Sequence, residues 1–377
     1  MTLHIFNPEH DIALASGLSN FTAPHAGRQL RHDLGFLPAI WADKGDIILV
    51  DDVEQAERAW KKLAHRIERM LDEKCFHGGN NLFLPWKQSV SAVETISVEP
   101  WGWNSALRAS LLRQGVDEQL LPSTQQLDTI RQLSHRRTAA ALLPKLRLEE
   151  TVGEAFECRT MDEVDVLLTK YGHVVLKAPW SSSGRGVRFC DISHLNDKGQ
   201  MINERGWLRN VIATQGSVMV EPYYNKVKDF GMEFLSDGNG KVSYLGLSLF
   251  HTSNGAYIGN VLATEVVKWE MISRYVSTDL LDIVQDRICC ELGEVFNGKY
   301  RGPFGVDMML CAPAELNDNR ELTNSNCLLH PCVEINLRRT MGHVALALTP
   351  KDDDIRRVMR IVYTEDNYKL TINSTTK

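Results

Sequence analysis

The segment from Val174 to Val187, VVLKAPWSSSGRGV, limits the possible folds of this chain more than any other. Its apolar start predicts a buried strand that carries Lys177 to its end. A loop rich in serine and glycine follows, and small residues there let backbone N–H groups approach a phosphate closely. Because Lys177 precedes the glycines, the segment is not a Walker A motif. It predicts either a phosphate-binding loop or a flexible surface loop after an edge strand.

Helical and strand periodicities alternate along the chain, which at 377 residues is longer than a typical single domain. Helices are predicted at Val53–Leu71, Met161–Tyr171 and Asp279–Val295, and strands at His173–Lys177 and Cys332–Ile335. The predicted units are an N-terminal α/β lobe at 1–125, two α+β units at 126–225 and 226–350, and a C-terminal extension at 351–377.

The composition excludes several classes of protein. The net charge is -6 and no basic block occurs, so a nucleic-acid partner has no support. No apolar run approaches the length needed to span a bilayer, and the first residues do not resemble a signal peptide. The eight cysteines are scattered, which is typical of reduced thiols. We therefore expect a cytoplasmic protein that binds neither nucleic acid nor membrane, and the oligomeric state is not predicted.

Three residues with oxygen ligands lie on predicted strands of the third unit. Asp307 lies in GVDMML, and Glu334 and Asn336 lie two apart in HPCVEINLRRT, so the latter two project from the same face of a strand. Magnesium favours a few such oxygens, with water and phosphates completing its octahedron. The alternative is that each is a solvated polar residue on an ordinary half-exposed strand.

Two other segments are consistent with nucleotide binding. In VMVEPYYNKVKDF, Glu221 ends a predicted strand and is followed by Tyr223 and Asp229, which suits a base pocket with a ribose contact. Arg136 and Arg137 begin a predicted helix, where cations oppose the helix dipole unless an anion is near. A bound phosphate would remove that conflict, and two solvated arginines are the alternative.

The order of these features resembles that of the ATP-grasp superfamily, over roughly Leu127 to Leu348. A basic pair comes first, then a strand-end lysine with a Gly/Ser loop, a V-E-x-Y segment, an aspartate and an E-x-N pattern. The segment Trp101–Ser123 is also similar to the helix and loop that precede the grasp domain. The resemblance implies an α+β ATP-grasp fold, with two α+β subdomains gripping ATP, preceded by a pre-grasp α/β domain.

The resemblance also implies roles for individual residues. The implied nucleotide-binding residues are Arg136, Arg137, Lys177, Ser181, Ser182, Ser183, Gly184, Arg185, Gly186, Glu221, Tyr223 and Asp229. Of these, Arg136 falls nearest the first phosphate-binding position, and Arg137 is the competing assignment. The implied metal ligands are Asp307, Glu334 and Asn336. Arg338 and Lys177 are the implied catalytic residues. The forked guanidinium of Arg338 can hold a carboxylate or a transferring phosphoryl group.

The implied activity is a Mg·ATP-dependent, ADP-forming ligation. A carboxylate attacks the γ-phosphorus to give an acylphosphate, and an amine or another nucleophile then displaces phosphate. The implied cofactors are ATP and Mg2+, with Mn2+ as an alternative ion. The expected partners are a small-molecule or peptide carboxylate and an amine-type co-substrate. A kinase on the same scaffold and a non-catalytic ATP-binding protein are the alternatives.

Two weaker hypotheses concern a zinc site and a substrate contact. Cys327, His330 and Cys332 suggest a zinc site, but the C-x-x-H-x-C spacing lacks a second ligand pair. His10 is a candidate for substrate contact from the N-terminal lobe. The neighbouring Asp11 is equally well interpreted as a helix cap.

Overall fold

The computed structural model describes residues 1–70, 82–85, 97–181, 186–194, 196, 204–253, 256–313 and 327–374. The helices are α1 (His10–Ser16), α2 (His25–Leu34), α3 (Val53–Met70), α4 (Ser105–Arg113), α5 (Thr124–Leu133), α6 (Arg137–Leu142), α7 (Met161–Tyr171), α8 (Arg205–Gln215), α9 (Glu265–Ile272), α10 (Thr278–Phe296) and α11 (Met341–Ala347). In the described ranges, no helix is long and apolar enough to cross a membrane.

The strands form sheets of four strands each. They are β1 (Thr2–Ile5), β2 (Ile47–Val50), β3 (Leu82–Pro85), β4 (Ser97–Pro100), β5 (Phe156–Cys158), β6 (His173–Lys177), β7 (Val187–Asp191), β8 (Val218–Pro222), β9 (Lys226–Ser236), β10 (Val242–Ser248), β11 (Phe250–Ser253), β12 (Ala256–Leu262), β13 (Gly302–Cys311), β14 (Leu328–Asn336), β15 (Arg357–Thr364) and β16 (Asn367–Ser374).

The N-terminal lobe is built on a parallel sheet of order β3-β2-β1-β4. Strand β2, IILV, is buried at every position, as expected for a parallel strand covered on both faces. Helix α3 buries Ala56, Trp60, Leu63 and Ile67, which recur at helical spacing along one side. The lobe is therefore α/β, as predicted.

The second unit contains the antiparallel sheet β5-β8-β6-β7, packed against α7 and α8. Helix α7 begins with a capping box between Thr160 and Glu163, and Gly172 follows its last residue with a φ of 73°. Strand β6 starts at the next residue. This short connection directs the strand so that Lys177 lies at its far end.

The third unit contains the antiparallel sheet β10-β9-β13-β14, with α9 and α10 in the same core. Alternate residues of β9 point to opposite faces of the sheet. Phe230, Met232 and Phe234 are fully buried in the core. The opposite face of β9 therefore carries Asp229 and Glu233. That polar face contributes to the candidate site.

The remaining sheet, β11-β12-β15-β16, joins the third unit to the N-terminal lobe. Strands β15 and β16 form a hairpin whose turn residues, Glu365 and Asp366, both have positive φ, as a type I′ turn requires. Strand β16 packs on α2 and α3. The Tyr368 N–H also donates to Asp33 Oδ2 at 2.8 Å.

Candidate functional site

The end of β6 carries a buried ion pair. The register places Val175 opposite Glu221 and Lys177 opposite Met219, so Lys177 and Glu221 are diagonal neighbours on one face. Lys177 Nζ donates to Glu221 Oε2 at 2.6 Å, and both residues are buried. Among the described residues, only Glu221 accepts a hydrogen bond from this lysine. Two of the three N–H groups of Lys177 therefore remain for an anion.

Arg136 reaches from the start of α6 into the space between the second and third units. Its NH1 donates to Ala178 O at 3.0 Å and to Ser181 Oγ at 3.1 Å. Its NH2 lies 2.7 Å from Glu334 Oε2. The buried Nε atom has no hydrogen-bond acceptor in the described part of the chain. Arg136 is therefore a buried cation with an unused donor.

Arg137 points elsewhere, although it is the next residue. Its NH2 donates to Gln132 Oε1 at 2.7 Å, and its NH1 lies 3.5 Å from Glu157 Oε1. The side chain is 38% exposed, compared with 7% for that of Arg136. The two neighbouring arginines therefore have different surroundings: Arg136 contacts Glu334, and Arg137 contacts Gln132 and Glu157.

The predicted metal ligands lie together on β13 and β14. Asp307 pairs with Glu334 across the two strands, and Asn336 Nδ2 donates to Asp307 Oδ2 at 3.0 Å. Burial and, to a smaller extent, the Glu334 and Glu233 carboxylates together raise the pKa of Asp307 to about 7. The Asp307 carboxyl group therefore resists ionisation.

This arrangement fits a magnesium ion chemically. Carboxylate and amide oxygens are the donors that Mg2+ prefers, and a dication would offset the mutual repulsion of the carboxylates. Arg136 contacts Glu334 Oε2, and the Asn336 amide donates to Asp307 Oδ2. Among the described residues, no group of three His, Cys, Asp or Glu side chains has converged to metal-binding distances.

Arg338 is held by a residue of the N-terminal lobe. Its Nε and NH2 donate to the Asp11 carboxylate at 2.9 and 2.8 Å. NH2 also donates to Asn336 Oδ1 at 3.0 Å, and NH1 donates to Arg339 O at 3.1 Å. Burial disfavours the charge, but the attraction of Asp11 raises the pKa of Arg338 above its ordinary value. Because four of the five N–H groups of Arg338 already donate to these acceptors, one N–H of NH1 remains for a ligand.

Asp11 does not cap its helix. The N-cap position of α1 belongs to Glu9, and no side-chain cap bond is formed there. Asp11 instead contacts a residue 327 positions away. No local sequence pattern points to this contact, because it depends on how the N-terminal lobe sits on the third unit.

A cavity of about 310 Å³ joins the three predicted metal ligands to Arg338 and Asp11. Its lining includes Asp11, Ser181, Asp307, Glu334, Asn336 and Arg338. Further polar residues that the sequence analysis did not single out also line it, among them Glu233, Ser248, Tyr257 and Asn260. Glu233 was detectable in principle, since it follows Asp229 by four residues on the same face of a strand.

The remaining nucleotide candidates lie beside this cavity. Asp229 Oδ2 accepts from Lys226 Nζ at 2.6 Å and from Thr252 Oγ1 at 2.5 Å. It lines a neighbouring cavity of about 670 Å³, which shares Phe250 and Thr252 with the first. Tyr223 is 42% exposed and stacks on His173 with the ring centroids 4.0 Å apart. These residues therefore do not line the cavity that holds the acidic group.

The Gly/Ser loop is described only at its two ends. Ser182, Ser183, Gly184 and Arg185 lie outside the described residues. At the base of the loop, Ala178 N donates to Gly186 O at 2.8 Å. A Cβ at Gly186 would lie 2.4 Å from Ser181 Cβ, so the two ends of the loop approach too closely for a larger residue.

The structure also shows the surroundings of His10 and of the cysteines and histidine proposed as zinc ligands. His10 is 1% exposed and packs against Gly102, and burial lowers the pKa of its imidazole to about 4. Burial raises the pKa of the Cys327 thiol, which disfavours the thiolate that zinc needs. Within the described ranges, no metal-binding group includes Cys327, His330 or Cys332.

Comparisons with known proteins establish the fold. No protein-family profile matches the chain, and no curated protein matches it. Among solved structures, the chain is similar to the biotin carboxylase domain of the Hydrogenobacter thermophilus 2-oxoglutarate carboxylase, described as a complex with MgADP, ADP and bicarbonate. The TM-score is 0.52 at 12% identity, covering 97% of this chain and 75% of that chain.

Two other structures have lower TM-scores. The N5-carboxyaminoimidazole synthetase of Staphylococcus aureus complexed with ADP has a TM-score of 0.47 at 11% identity, covering 97% of this chain and 83% of that one. The biotin carboxylase of Campylobacter jejuni has a TM-score of 0.47 at 11% identity, covering 96% and 75%. The likeness to the Hydrogenobacter domain shows that the two antiparallel units and the α/β lobe together have the α+β ATP-grasp fold expected from the sequence.

Proposed function

We propose that this protein is a Mg·ATP-dependent, ADP-forming ligase, which activates a substrate carboxylate as an acylphosphate for attack by an amine or another nucleophile. The observation that carries the proposal is the convergence of Asp307, Glu334, Asn336 and Arg338 on one cavity, with Arg136 in contact with Glu334. Burying so many charges costs stability unless a ligand compensates for them.

The phosphate groups would be bound by cations from two elements. Arg136 and Lys177 would donate to phosphate oxygens, for which both have unused N–H groups. The loop from Ser181 to Gly186 would cover the phosphates with backbone N–H groups and hydroxyls. Glu221 and Tyr223 would border the adenine, and Asp229 would accept from the ribose, each as the fold suggests for its position.

Magnesium would be held by Asp307, Glu334 and Asn336, and when bound it supplies positive charge against the triphosphate. The residues of the chain then have separate tasks. Asp307 must be ionised to contribute an oxygen. Arg136 must share or release Glu334, and its guanidinium then becomes available to a phosphate oxygen.

Arg338 would act at the reacting centre through its charge and its one remaining N–H. The substrate carboxylate oxygen attacks the γ-phosphorus, the bond from phosphorus to the bridging oxygen breaks, and ADP leaves with the electron pair. Arg338 would stabilise the charge on the transferring group, while its bond to Asn336 Oδ1 fixes that amide. No protein nucleophile is needed, and positioning supplies much of the acceleration.

The proposal is tested by the release of ADP and phosphate from Mg·ATP. Pooled carboxylic acids are supplied with and without pooled amines and amino acids. ADP that appears only with an acid and an amine together supports the ligase, whereas ADP with an acid alone supports the kinase alternative. No ADP from any pool, together with no binding of Mg·ATP, would refute the proposal.

Two variants test the site itself. Lys177→Ala removes a phosphate ligand and Glu334→Gln removes a metal ligand, so each is expected to abolish ADP release while cooperative unfolding is retained. Arg113→Gln is the matched control for loss of a charge, because Arg113 is exposed at the end of α4 and lines neither cavity. Full activity in either site variant would contradict the residue assignment.

A further inference from the structure

The cavity contains a buried carboxylate that the phosphate chemistry does not use. Glu233 lies on β9, is 3% exposed and lines the same cavity as Asp307 and Arg338. Its Oε2 atom receives no hydrogen bond from any described residue. A buried carboxylate without donors is costly, so this side chain lacks a partner that a ligand can supply.

The neighbouring histidine does not supply the missing donor in its neutral form. His343 Nδ1 lies 2.9 Å from Glu233 Oε2, and both side chains are 4% exposed. However, Nδ1 also accepts the Thr340 N–H at 3.1 Å, and Nε2 lies 3.4 Å from Phe234 O. With the ring proton on Nε2, the short contact joins two acceptors.

Other cations are committed elsewhere. The buried Lys268 donates to Leu247 O at 2.6 Å and lies 2.7 Å from Glu265 Oε2. Arg338 is held by Asp11, as described above. Among the described residues, the Glu233 carboxylate thus has only His343 within ion-pair distance.

Two glycines make space for this carboxylate. A Cβ at Gly342 would lie 1.8 Å from Glu233 Oε1, and a Cβ at Gly305 would lie 2.6 Å from Oε2. Neither glycine has a positive φ, so backbone conformation does not demand glycine at either place. The close approach of the carboxylate is the physical reason for both residues.

A hydroxyl group lies beside the carboxylate. Tyr257 OH donates to Asn260 Oδ1 at 2.5 Å, and Asn260 Nδ2 donates to Ser248 Oγ at 2.9 Å. The Cβ position at Gly342 is 2.6 Å from Ser248 Oγ as well as 1.8 Å from Glu233 Oε1. Ser248 and Glu233 therefore present two oxygen atoms to one small region of the cavity wall.

We propose that Glu233, Ser248 and His343 form the subsite for a primary amine co-substrate. Glu233 accepts hydrogen bonds from the ammonium group and, together with His343, takes one of its protons. Ser248 orients the nitrogen, and the N-terminal lobe contributes apolar lining for the rest of the amine, including Phe6 and Trp101. This inference rests on the proposed ligase function and assigns the class of its second substrate.

The step balances as follows. One ammonium proton passes to the Glu233–His343 pair, and the nitrogen lone pair attacks the carbonyl carbon of the acylphosphate. The C–N bond forms, and the C–O bond to phosphate breaks with its electron pair on the phosphate. A second N–H proton goes to the leaving group, which departs as hydrogen phosphate. Acylphosphate and ammonium thus give amide, hydrogen phosphate and one proton.

Hydroxylamine separates this step from carboxylate activation. It is uncharged at neutral pH, so it traps an acylphosphate as a hydroxamate without first losing a proton. Wild type and Glu233→Gln are supplied with Mg·ATP and a mixture of monocarboxylic and dicarboxylic acids that carry no amino group. One arm adds hydroxylamine, and the other adds simple primary amines. Glu270→Gln, at an exposed carboxylate on α9, is the control.

The inference predicts a split between the two arms. Glu233→Gln is expected to lose amide formation by about 100-fold or more, while hydroxamate formation stays within about threefold, because a positioned base contributes on that scale. Ser248→Ala is expected to raise the KM for the amine more than it lowers kcat, with the KM for ATP unchanged.

Each other result has a defined meaning. If Glu233→Gln keeps both products, or loses both equally, the amine subsite is refuted and the ligase function stands. If wild type forms neither product from any mixture, the ligase function is refuted and the subsite falls with it. Retained hydroxamate formation also shows that Glu233→Gln is folded.

Discussion

The contact between Asp11 and Arg338 makes a prediction about stability whose size follows from burial. Both side chains are largely buried, at 17% and 15% exposure, and they share three N–H···O contacts. Replacing Asp11 by Asn leaves the guanidinium buried without its carboxylate, which costs about 3–5 kcal/mol in other proteins. Because Asn336 Oδ1 and Arg339 O still accept from Arg338, we expect about 3 kcal/mol.

The assay is urea unfolding followed by tryptophan fluorescence and circular dichroism at pH 7. The control is Glu118→Gln, which breaks a pair with Arg108 in which the glutamate is 71% exposed. Such exposed pairs contribute about 0–1 kcal/mol. Midpoint and slope are compared separately, since a multidomain chain can unfold in more than one step.

The pH dependence supplies a second check. Burial alone would raise the pKa of Asp11, but attraction to Arg338 outweighs it and the net pKa lies below the ordinary value. The stabilisation is therefore complete above the ordinary pKa of a carboxyl group and is lost as pH falls through the lower, folded-state pKa. The difference between wild type and Asp11→Asn should shrink in acid. A loss at pH 7 no larger than that of the control would refute the reasoning.

Three further predictions concern the site. Without magnesium, the contribution of Asp307 to stability should fall as pH rises from about 4 to about 7, because its raised pKa means that the folded state holds a proton which the unfolded chain releases. In urea titrations, the gain in stability of Asp307→Asn over wild type should therefore grow across this range, up to about 4 kcal/mol at pH 8. Gly342→Ala should lower the free energy of unfolding by about 1–3 kcal/mol through its clash with Glu233, whereas Gly206→Ala, which meets nothing within 4 Å, should raise it by about 0.5–1 kcal/mol. Calorimetry should show Mg·ATP binding weakened about tenfold or more by Arg136→Ala and unchanged by Arg137→Ala, because charge-assisted bonds are worth about 1.5–3 kcal/mol; equal effects would contradict the assignment.

Local pattern was enough to predict the elements that carry the site. The predicted helix Met161–Tyr171 and strand His173–Lys177 have the observed bounds, and the predicted helix Asp279–Val295 is observed one residue longer at each end. Periodicity and capping residues act over a few positions, so they can be read without the fold. The strand predicted at Cys332–Ile335 is longer, at Leu328–Asn336, because its pairing partner extends it.

The prediction of the fold depended on the order of the motifs along the chain. Lys177, Asp307 and the E-x-N pattern suggested an ATP-grasp fold, and the structure confirms that fold. The spacing of Glu334 and Asn336 was enough to place both on the same face of β14, since residues two apart on a strand share a face. The sequence left the choice between Arg136 and Arg137 open, because both begin the same helix.

Tertiary structure decided the rest. Arg136 rather than Arg137 meets Glu334, because the direction of each side chain follows from how α6 packs beside β14. Asp11 meets Arg338 across 327 positions, and Glu233 meets His343 across the third unit. Such contacts are set by the docking of whole lobes and sheets. A sequence records the chemistry of these residues, but only the folded chain determines which of them become neighbours.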